Sequence, residues 1–310
     1  MDQPKFVIEA AEAESMAKSL GLPSVQHLLP LLVRPAQRLA RPPISNFPVA
    51  AVGLGSDGRV FVGVNLEFPG LPLHHSVHAE QCLVTNLSTH RCPSLIAFAV
   101  SAAPCGHCRQ FFQELRHASS LQLLIASDSG GESDFKPLSE FLPHHFGPDD
   151  LLDDETPLLL EPHNNGLTLT PTVPDSNPET NLRSPINGFP DKFSSDLEAA
   201  ALEAANESHA PYTHCPSGAA LMDCEGKVYK GSYAESAAYN PSLGPIQAAL
   251  AAFVAGGGGG YERIVAAALV EKRDGQIKQE ESGKMMLKAI SPKCELKVFH
   301  ATSSGSPKSV

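Results

Sequence analysis

The sequence lacks the features that mark membrane and exported proteins. Its apolar stretches, such as Leu28–Val33, are short and interrupted by proline, far below the roughly 20 residues that cross a bilayer. The first residues, Met1–Pro4, lack the charged-then-apolar pattern of a secretory signal. The acidic residues that follow do not fit an arginine-rich transit peptide. These absences predict a cytosolic protein without a transmembrane segment.

Basic residues are also scarce. The chain has 23 Lys and Arg against 34 Asp and Glu, a net charge of −11, and no basic cluster. Proteins that grip a polynucleotide normally carry such a cluster, so nucleic acid is not an expected partner. A small neutral substrate is compatible with this charge. The length of 310 residues, 42% of them hydrophobic, is enough for two domains with their own cores.

The seven cysteines are odd in number and are not spaced like a secreted disulfide framework. In a reducing compartment, a close pair of cysteines indicates metal ligands or catalytic groups, and Cys105 and Cys108 form such a pair. Most of the others are interpreted as small core residues: Cys82, Cys92, Cys215, Cys224 and Cys294.

Hydrophobic periodicity and turn signals alternate between helix and strand along the first half of the chain. Such alternation predicts an α/β sandwich in which helices cover both faces of a sheet. The predicted elements are helices over 7–20, 24–41, 78–86 and 105–117, a hairpin over 49–64, and strands over 95–100 and 121–126.

The second half of the sequence repeats part of the first. Gly58–Gly63 resembles Gly226–Gly231, and a one-residue gap then places His78–Leu83 opposite Pro245–Leu250. This alignment predicts a duplicated domain whose copy has lost the chemistry, with Pro245 and Gln247 replacing a His and a Glu. Acidic, then Pro-, Asn- and Ser-rich sequence separates the two halves. The predicted boundaries are an N-terminal helical segment over 1–23, a catalytic domain over 24–150, a partly mobile linker over 151–195 and an inactive copy over 196–310.

Two motifs carry chemistry: His78-Ala79-Glu80 and Pro104-Cys105-Gly106-His107-Cys108. Together they match the H-x-E…P-C-x-x-C signature of zinc deaminases. Two cysteines three residues apart share one face of a helix, and the start of a helix favours thiolates. With His78 as the third ligand, a fourth tetrahedral position stays open, which is typical of a catalytic zinc. We expect one zinc per chain.

Glu80 is the predicted general base and acid, taking a proton from water at the metal and passing it to a leaving amine. Alternatives exist for each motif on its own. A lone C-x-x-C is also found in structural zinc and redox sites, and His107 could replace His78 as a ligand. His107 would point away from the face that the two cysteines share, and His74 and His75 are interpreted as loop residues.

At this point the chain resembles the cytidine deaminases of the homodimeric, two-domain type, including their plant members, over nearly its whole length. The resemblance implies a three-layer α/β/α deaminase fold, duplicated, with a short helical N-terminal region. It implies zinc-dependent hydrolysis of cytidine and deoxycytidine to the uracil nucleoside and ammonia, in pyrimidine salvage. The supporting strings are Pro43–Phe47, Asn65–Phe68, His78–Gln81, Pro104–Phe111 and Phe146–Leu151.

The same resemblance implies roles in substrate binding. Asn65 and Glu67 would hold the ribose, and Phe47 would pack on the pyrimidine. Phe146 would reach into the site of a neighbouring subunit, and the backbone of two alanines, Ala79 and Ala103, would contact the base edges. The competing interpretation is that Asn65 and Glu67 cap a turn and that the two phenylalanines are core residues.

Two other functions compete with this one: deamination of a nucleotide or polynucleotide, and a non-enzymatic, zinc-stabilised interaction protein. The charge of Glu67 near the sugar disfavours a phosphate. The open metal position and Glu80 disfavour a purely structural zinc.

Overall fold

The computed structural model describes residues 4–126, 134–170 and 191–303. These residues form two compact units. The first unit is Met1–Pro162 together with Glu235–Leu243, and the second is His163–Ala234 together with Gly244–Val310. Within the described ranges, no helix combines the length and the apolar character needed to cross a bilayer.

The first unit is built on a six-stranded sheet of order β1-β3-β2-β4-β5-β6. The pair β4–β5 is parallel and its other neighbouring pairs are antiparallel. Helix α2 packs on β2 and β4, and α3 packs on β2 and β3. The elements are β1 (Val7–Ile8), α1 (Ala10–Ser19), α2 (Leu29–Ala36), β2 (Ala50–Gly55), β3 (Val60–Val64), α3 (Ala79–Thr89), β4 (Leu95–Val100), α4 (Gly106–Phe111), β5 (Gln122–Ile125), β6 (Lys136–Pro137) and α5 (Leu138–Phe141).

The second unit contains a five-stranded sheet of order β7-β11-β10-β8-β9. Its elements are β7 (Leu167–Leu169), α6 (Asp191–Asn206), β8 (Ser217–Asp223), β9 (Val228–Ser232), α7 (Pro245–Ala255), β10 (Ile264–Lys272), α8 (Glu280–Ile290) and β11 (Glu295–Ser303). Gly218 of β8 lies against the backbone of α6, whereas Gly231 of β9 lies against the backbone of α7. Gly231 pairs with Ala219, the neighbour of Gly218 in the strand, so the two helices cover opposite faces. The unit therefore has three layers, as predicted.

The duplication is visible in one close approach that occurs in both units. A side chain at Gly63 would collide with the backbone of Ala79 and Leu83 in α3, and one at Gly231 would collide with Pro245 and Ala249 in α7. Only glycine lets a helix approach a strand this closely. The same residue type at the same strand position thus sets the same helix-on-sheet packing twice.

This packing corrects the alignment made from the sequence. It makes Ala79 equivalent to Pro245, and the helix-capping residues agree, because His78 caps α3 and Gly244 caps α7. Gly244 and Ile246 therefore occupy the positions of His78 and Glu80. The predicted equivalence of Pro245 to His78 was wrong by one residue, because the loop before α7 is two residues shorter than its counterpart rather than one. Neither Gly244 nor Ile246 has a side chain that could bind a metal or carry a proton.

Several element boundaries differ from the predicted ones. Residues 7–8 pair with β3 instead of opening α1, and the predicted helix 24–41 contains α2 with 3-10 turns on either side. The predicted helix 105–117 is shorter, because α4 ends at Phe111 and a 3-10 turn follows. Local patterns place helix centres well, but tertiary pairing decides where each helix ends.

The region predicted as a linker, 151–195, contains ordered structure at both ends. Residues 151–162 belong to the first unit, where Arg116 forms an ion pair with Glu161 at 2.7 Å. Residues 163–170 belong to the second unit and include β7, and α6 begins at Asp191. The middle of the predicted linker, 171–190, lies outside the described residues.

Candidate active site

The site is assembled from the first turns of two helices. His78 is the N-cap of α3, and its backbone is extended rather than helical. Its side chain is therefore presented at the point where the helix begins. Cys105 is the N-cap of α4, directly after Pro104, and Cys108 lies one turn further along. The antiparallel bridge between Leu66 and Val77 ties the chain before α3 to the end of the hairpin. Two short stretches that are far apart in sequence therefore meet at one point.

The three predicted ligands form a triangle. His78 Nδ1 lies 3.5 Å from Cys105 Sγ and 3.3 Å from Cys108 Sγ, and the two sulfurs are 3.7 Å apart. A tetrahedral zinc with ordinary Zn–S and Zn–N bonds requires S···S edges of about 3.8 Å and S···N edges of about 3.6 Å. The triangle therefore fits zinc without rearrangement. Among the described residues, it is the one group of three that could hold a metal ion.

The electrostatics of the triangle favour a cation. The hydrogen bond with Cys108 is the largest influence on Cys105 and, with His78, lowers its pKa to about 3. The hydrogen bond with Cys105 and then burial raise the pKa of Cys108, and the negative charges nearby add to that rise. A dipositive ion bound between the sulfurs would stabilise both as thiolates.

Glu80 lies in the first turn of α3 and is only 4% exposed. Burial raises the pKa of its carboxyl, since the charged form loses its hydration, and a hydrogen bond with the Cys108 thiol opposes that rise. A carboxyl that is buried next to the triangle binds its proton more tightly than a solvated one does. The acid–base role of Glu80 stays a prediction.

Asn65 and Glu67 follow β3 and hold the loop that contains Phe47. Asn65 accepts from Val49 N at 2.9 Å and donates to Phe47 O at 3.0 Å. Glu67 accepts from Ile44 N at 2.8 Å and from both the amide and the hydroxyl of Ser45, at 2.9 and 2.5 Å. Burial alone would raise the pKa of Glu67, but these hydrogen bonds outweigh it and lower the pKa, so the carboxylate is charged.

The remaining predicted binding residues differ in exposure. Phe47 and Phe146 are 59% and 45% exposed in this chain, so neither is a core residue. The carbonyl of Phe146 accepts a hydrogen bond from Gln110 of α4, which ties its loop to the helix that carries Cys108. Ala79 is buried at the start of α3, whereas Ala103 is exposed just before Pro104.

The other histidines do not join the triangle. The ring of His107 stacks on that of His78 with centroids 5.4 Å apart, and its Nε2 lies 3.1 Å from the Gln81 amide nitrogen. His74 and His75 lie in a 3-10 turn, which agrees with their interpretation as loop residues. Neither belongs to the metal-binding group.

Two buried polar residues at the site were not singled out from the sequence. Gln81 is 2% exposed and Glu114 is fully buried, and each makes hydrogen bonds that join separate parts of the first unit. Gln81 directly follows Glu80 in the first motif, which is the only sequence signal for it. Nothing in the local pattern distinguishes Glu114 from a solvated glutamate after a helix.

Comparisons with known proteins agree with this geometry. Two family models, both described as the cytidine and deoxycytidylate deaminase zinc-binding region, match residues 24–123 and 138–284. Cytidine deaminase 1 of Arabidopsis thaliana is 59% identical, covering 97% of this chain and 99% of the relative. Cytidine deaminase 6 of the same plant is 48% identical over 88% of this chain and 91% of its own length.

Among solved structures, the cytidine deaminase from Mycobacterium tuberculosis is 30% identical and covers 39% of this chain and 96% of its own, with a TM-score of 0.34. The fold and the triangle define a zinc-binding α/β/α enzyme with a duplicated domain. From the identity and coverage of its relatives, the chain belongs to the cytidine deaminase family.

Proposed function

We propose that this protein hydrolyses the exocyclic amine of cytidine, and of deoxycytidine, releasing ammonia and the corresponding uracil nucleoside. The reaction would serve pyrimidine salvage in the cytosol. The observation that carries the proposal is the triangle of His78, Cys105 and Cys108 beside the buried carboxyl of Glu80. The close relatives named as cytidine deaminases support the choice of substrate.

Each residue of the site has a distinct task. His78, Cys105 and Cys108 would hold one zinc ion as its protein ligands. Bound zinc supplies the Lewis acidity that makes water a nucleophile near neutral pH. Glu80 accepts the proton of that water and donates a proton to the departing amine, so a single carboxyl serves as base and then as acid.

The nucleoside would bind beside the loop that Asn65 and Glu67 hold. The Glu67 carboxylate keeps lone pairs beyond its three hydrogen bonds, so it can also accept from ribose hydroxyls. The exposed ring of Phe47 is available to pack on the pyrimidine. The backbone at Ala79 and Ala103 would contact the edges of the base.

We propose that a second copy of the chain covers the part of the substrate site that this chain leaves exposed. Phe146, whose carbonyl bonds to α4, is 45% exposed and Leu151 is 51% exposed, which leaves apolar surface for a partner. In a homodimer, Phe146 would enter the site of the neighbouring subunit, and each site would need both chains.

The metal assignment predicts that Cys105→Ala loses zinc. Removing one of three protein ligands leaves two, too few to retain the ion against dilution. Metal analysis of the purified protein should show one zinc per chain, and that of the variant close to none. Cys294→Ala, a cysteine far along the chain and outside the triangle, is the matched control and should keep its zinc. Full retention in Cys105→Ala, or two tightly held zinc ions per chain, would show that the ligand set is wrong.

Substrate class is tested by comparing cytidine with its 5′-monophosphate. We expect cytidine to be converted to uridine at a kcat/KM at least tenfold above that for the monophosphate, because the charged Glu67 carboxylate repels a phosphate near the sugar. Ultraviolet absorbance follows both reactions. Equal or faster use of the monophosphate would make the protein a nucleotide deaminase. No turnover of cytidine by zinc-loaded protein would remove the proposed function.

A further inference from the structure

The segment Glu235–Leu243 connects β9 to α7 in the second half of the sequence, yet it belongs to the first compact unit. The two ends of the segment are closely packed there, since Glu235 and Leu243 are each 2% exposed and Ser236 is completely buried, whereas Tyr239 in the middle is 64% exposed. The inactive copy thus contributes one stretch of chain to the unit that carries the metal-binding triangle.

One end of this segment is tied to the region after α4. The amide of Ala237 donates to Glu114 Oε1 at 2.7 Å, and Glu114 has no exposed surface. A carboxylate without contact to water depends on protein donors, and a hydrogen bond to a charged acceptor is about twice as strong as a neutral one. Glu114 stands in the turn that directly continues α4, the helix whose first turn holds Cys105 and Cys108.

The other end is tied to the start of α3 through Gln81. Its amide nitrogen donates to Pro241 O at 3.0 Å and lies 3.1 Å from His107 Nε2, and its amide oxygen accepts from His78 N at 3.3 Å. An amide nitrogen has two hydrogens, so these two contacts use both of them. His107 Nε2 must then be an acceptor, which places the ring proton on Nδ1. One side chain thereby connects a ligand's backbone, the ring stacked on that ligand, and the segment.

We propose that Glu235–Leu243 is a clamp on the metal site, and that Gln81 and Glu114 are the positioning residues through which it acts. Gln81 joins the clamp to the helix start that presents His78, and Glu114 joins it to the helix that presents the two cysteines. The triangle consists of side chains from two separate helix starts. The distances between its three ligand atoms are therefore kept only while the starts of α3 and α4 hold their relative position. The inference rests on the proposed zinc site.

The counterpart of Gln81 in the second unit shows that the clamp contacts are not simply part of helix capping. Gln247 of α7 accepts from Gly244 N at 3.1 Å, as Gln81 accepts from His78 N. The capping bond is therefore common to both units, and α7 is capped in the same way although the described residues of the second unit contain no metal-binding triangle. The bonds from Gln81 to Pro241 and His107 are additional to that shared function.

The decisive variant is Gln81→Met, which has a similar volume but cannot donate to Pro241 or to His107. Thr85→Val is the matched control, because Thr85 is buried one turn later on the same helix and its hydroxyl bonds only within that helix. Three properties of the purified full-length proteins should be measured. They are the rate of zinc transfer to a colorimetric chelator, the absorption spectrum of the cobalt-substituted form, and hydrogen exchange of the 235–243 amides.

We expect Gln81→Met to release zinc 10- to 100-fold faster, the usual effect of losing a partner behind the metal ligands. Its cobalt bands should shift, and exchange of the amides at 237–240 should rise at least tenfold, while Thr85→Val matches the unaltered protein. Wild-type zinc release together with unchanged exchange would overturn the clamp. If Gln81→Met does not fold, Glu114→Gln is the second variant, because it keeps the shape of the side chain and removes the charge. It should show the same faster exchange of the Ala237 amide. Unchanged exchange of that amide would also overturn the proposed clamp. A protein that binds no zinc at all would defeat the proposed function, whereas the exchange data would still decide the clamp.

Discussion

Replacing Glu80 by Gln should leave the fold and the zinc in place and reduce turnover of cytidine by about 10²–10⁴-fold, the usual contribution of a positioned acid–base group. The amide fills the same buried space but cannot accept a proton from water or return one to the amine. Loss at the upper end of this range is expected, because one carboxyl serves both proton transfers. Steady-state kinetics and metal analysis of the same preparation measure the two quantities together.

Glu271→Gln is the matched control for this experiment. Glu271 is another buried carboxylate, 1% exposed, but it lies on β10 in the second unit and pairs with Lys278 and the Gln279 amide. The same chemical change there should leave kcat near normal. Near-normal turnover by Glu80→Gln would show that Glu80 is a bystander and that another group moves the protons.

A chain that ends at Ser195 should lose its activity and either aggregate or become monomeric. The cut removes β8 to β11 together with α7 and α8, and it truncates α6 after its first turn, so the second unit cannot form its core. It also removes Glu235–Leu243, which leaves the buried carboxylate of Glu114 without the donor from Ala237. Loss of a hydrogen-bond donor to a buried carboxylate is destabilising. Size-exclusion chromatography and a cytidine assay test both consequences.

Co-production of residues 1–170 with residues 191–310 separates loss of the second half from interruption of the chain. This pair retains every described element of both units, so it should recover soluble, active protein if the second half acts structurally. If the chain that ends at Ser195 is soluble, dimeric and fully active by itself, the second half has no structural role in catalysis.

The chemistry could be predicted from local sequence because the residues that carry it lie in two short motifs. The spacing of Cys105 and Cys108 places both sulfurs at one helix start, and the structure brings His78 within 3.5 Å of each. The hairpin over 49–64 could also be predicted, since a Ser-Asp-Gly turn between two apolar runs specifies it locally. The substrate-binding roles of Asn65, Glu67 and the two phenylalanines remain predictions, although the structure shows Asn65 and Glu67 holding the loop that presents Phe47.

Features that depend on residues far apart in sequence could not be predicted from local patterns. The equivalence of His78 to Gly244 became clear only when the contacts of Gly63 and Gly231 aligned α3 with α7, because a gap in a loop has no periodicity to fix its length. Gln81 is separated from Pro241 by 160 residues, and nothing in the local pattern relates the two.

By itself, then, the sequence predicted the metal ligands and the proton carrier from two short motifs. It predicted the duplicated α/β/α plan from alternating patterns, the internal repeat and the resemblance to a known family. The tertiary structure alone decided that Glu235–Leu243, from the second half of the sequence, packs into the unit that contains the triangle through Gln81 and Glu114. The physical reason is that a buried amide or carboxylate must be hydrogen-bonded, and its partners are the backbone groups that the fold brings next to it. The local sequence around such a residue does not indicate which backbone groups those are.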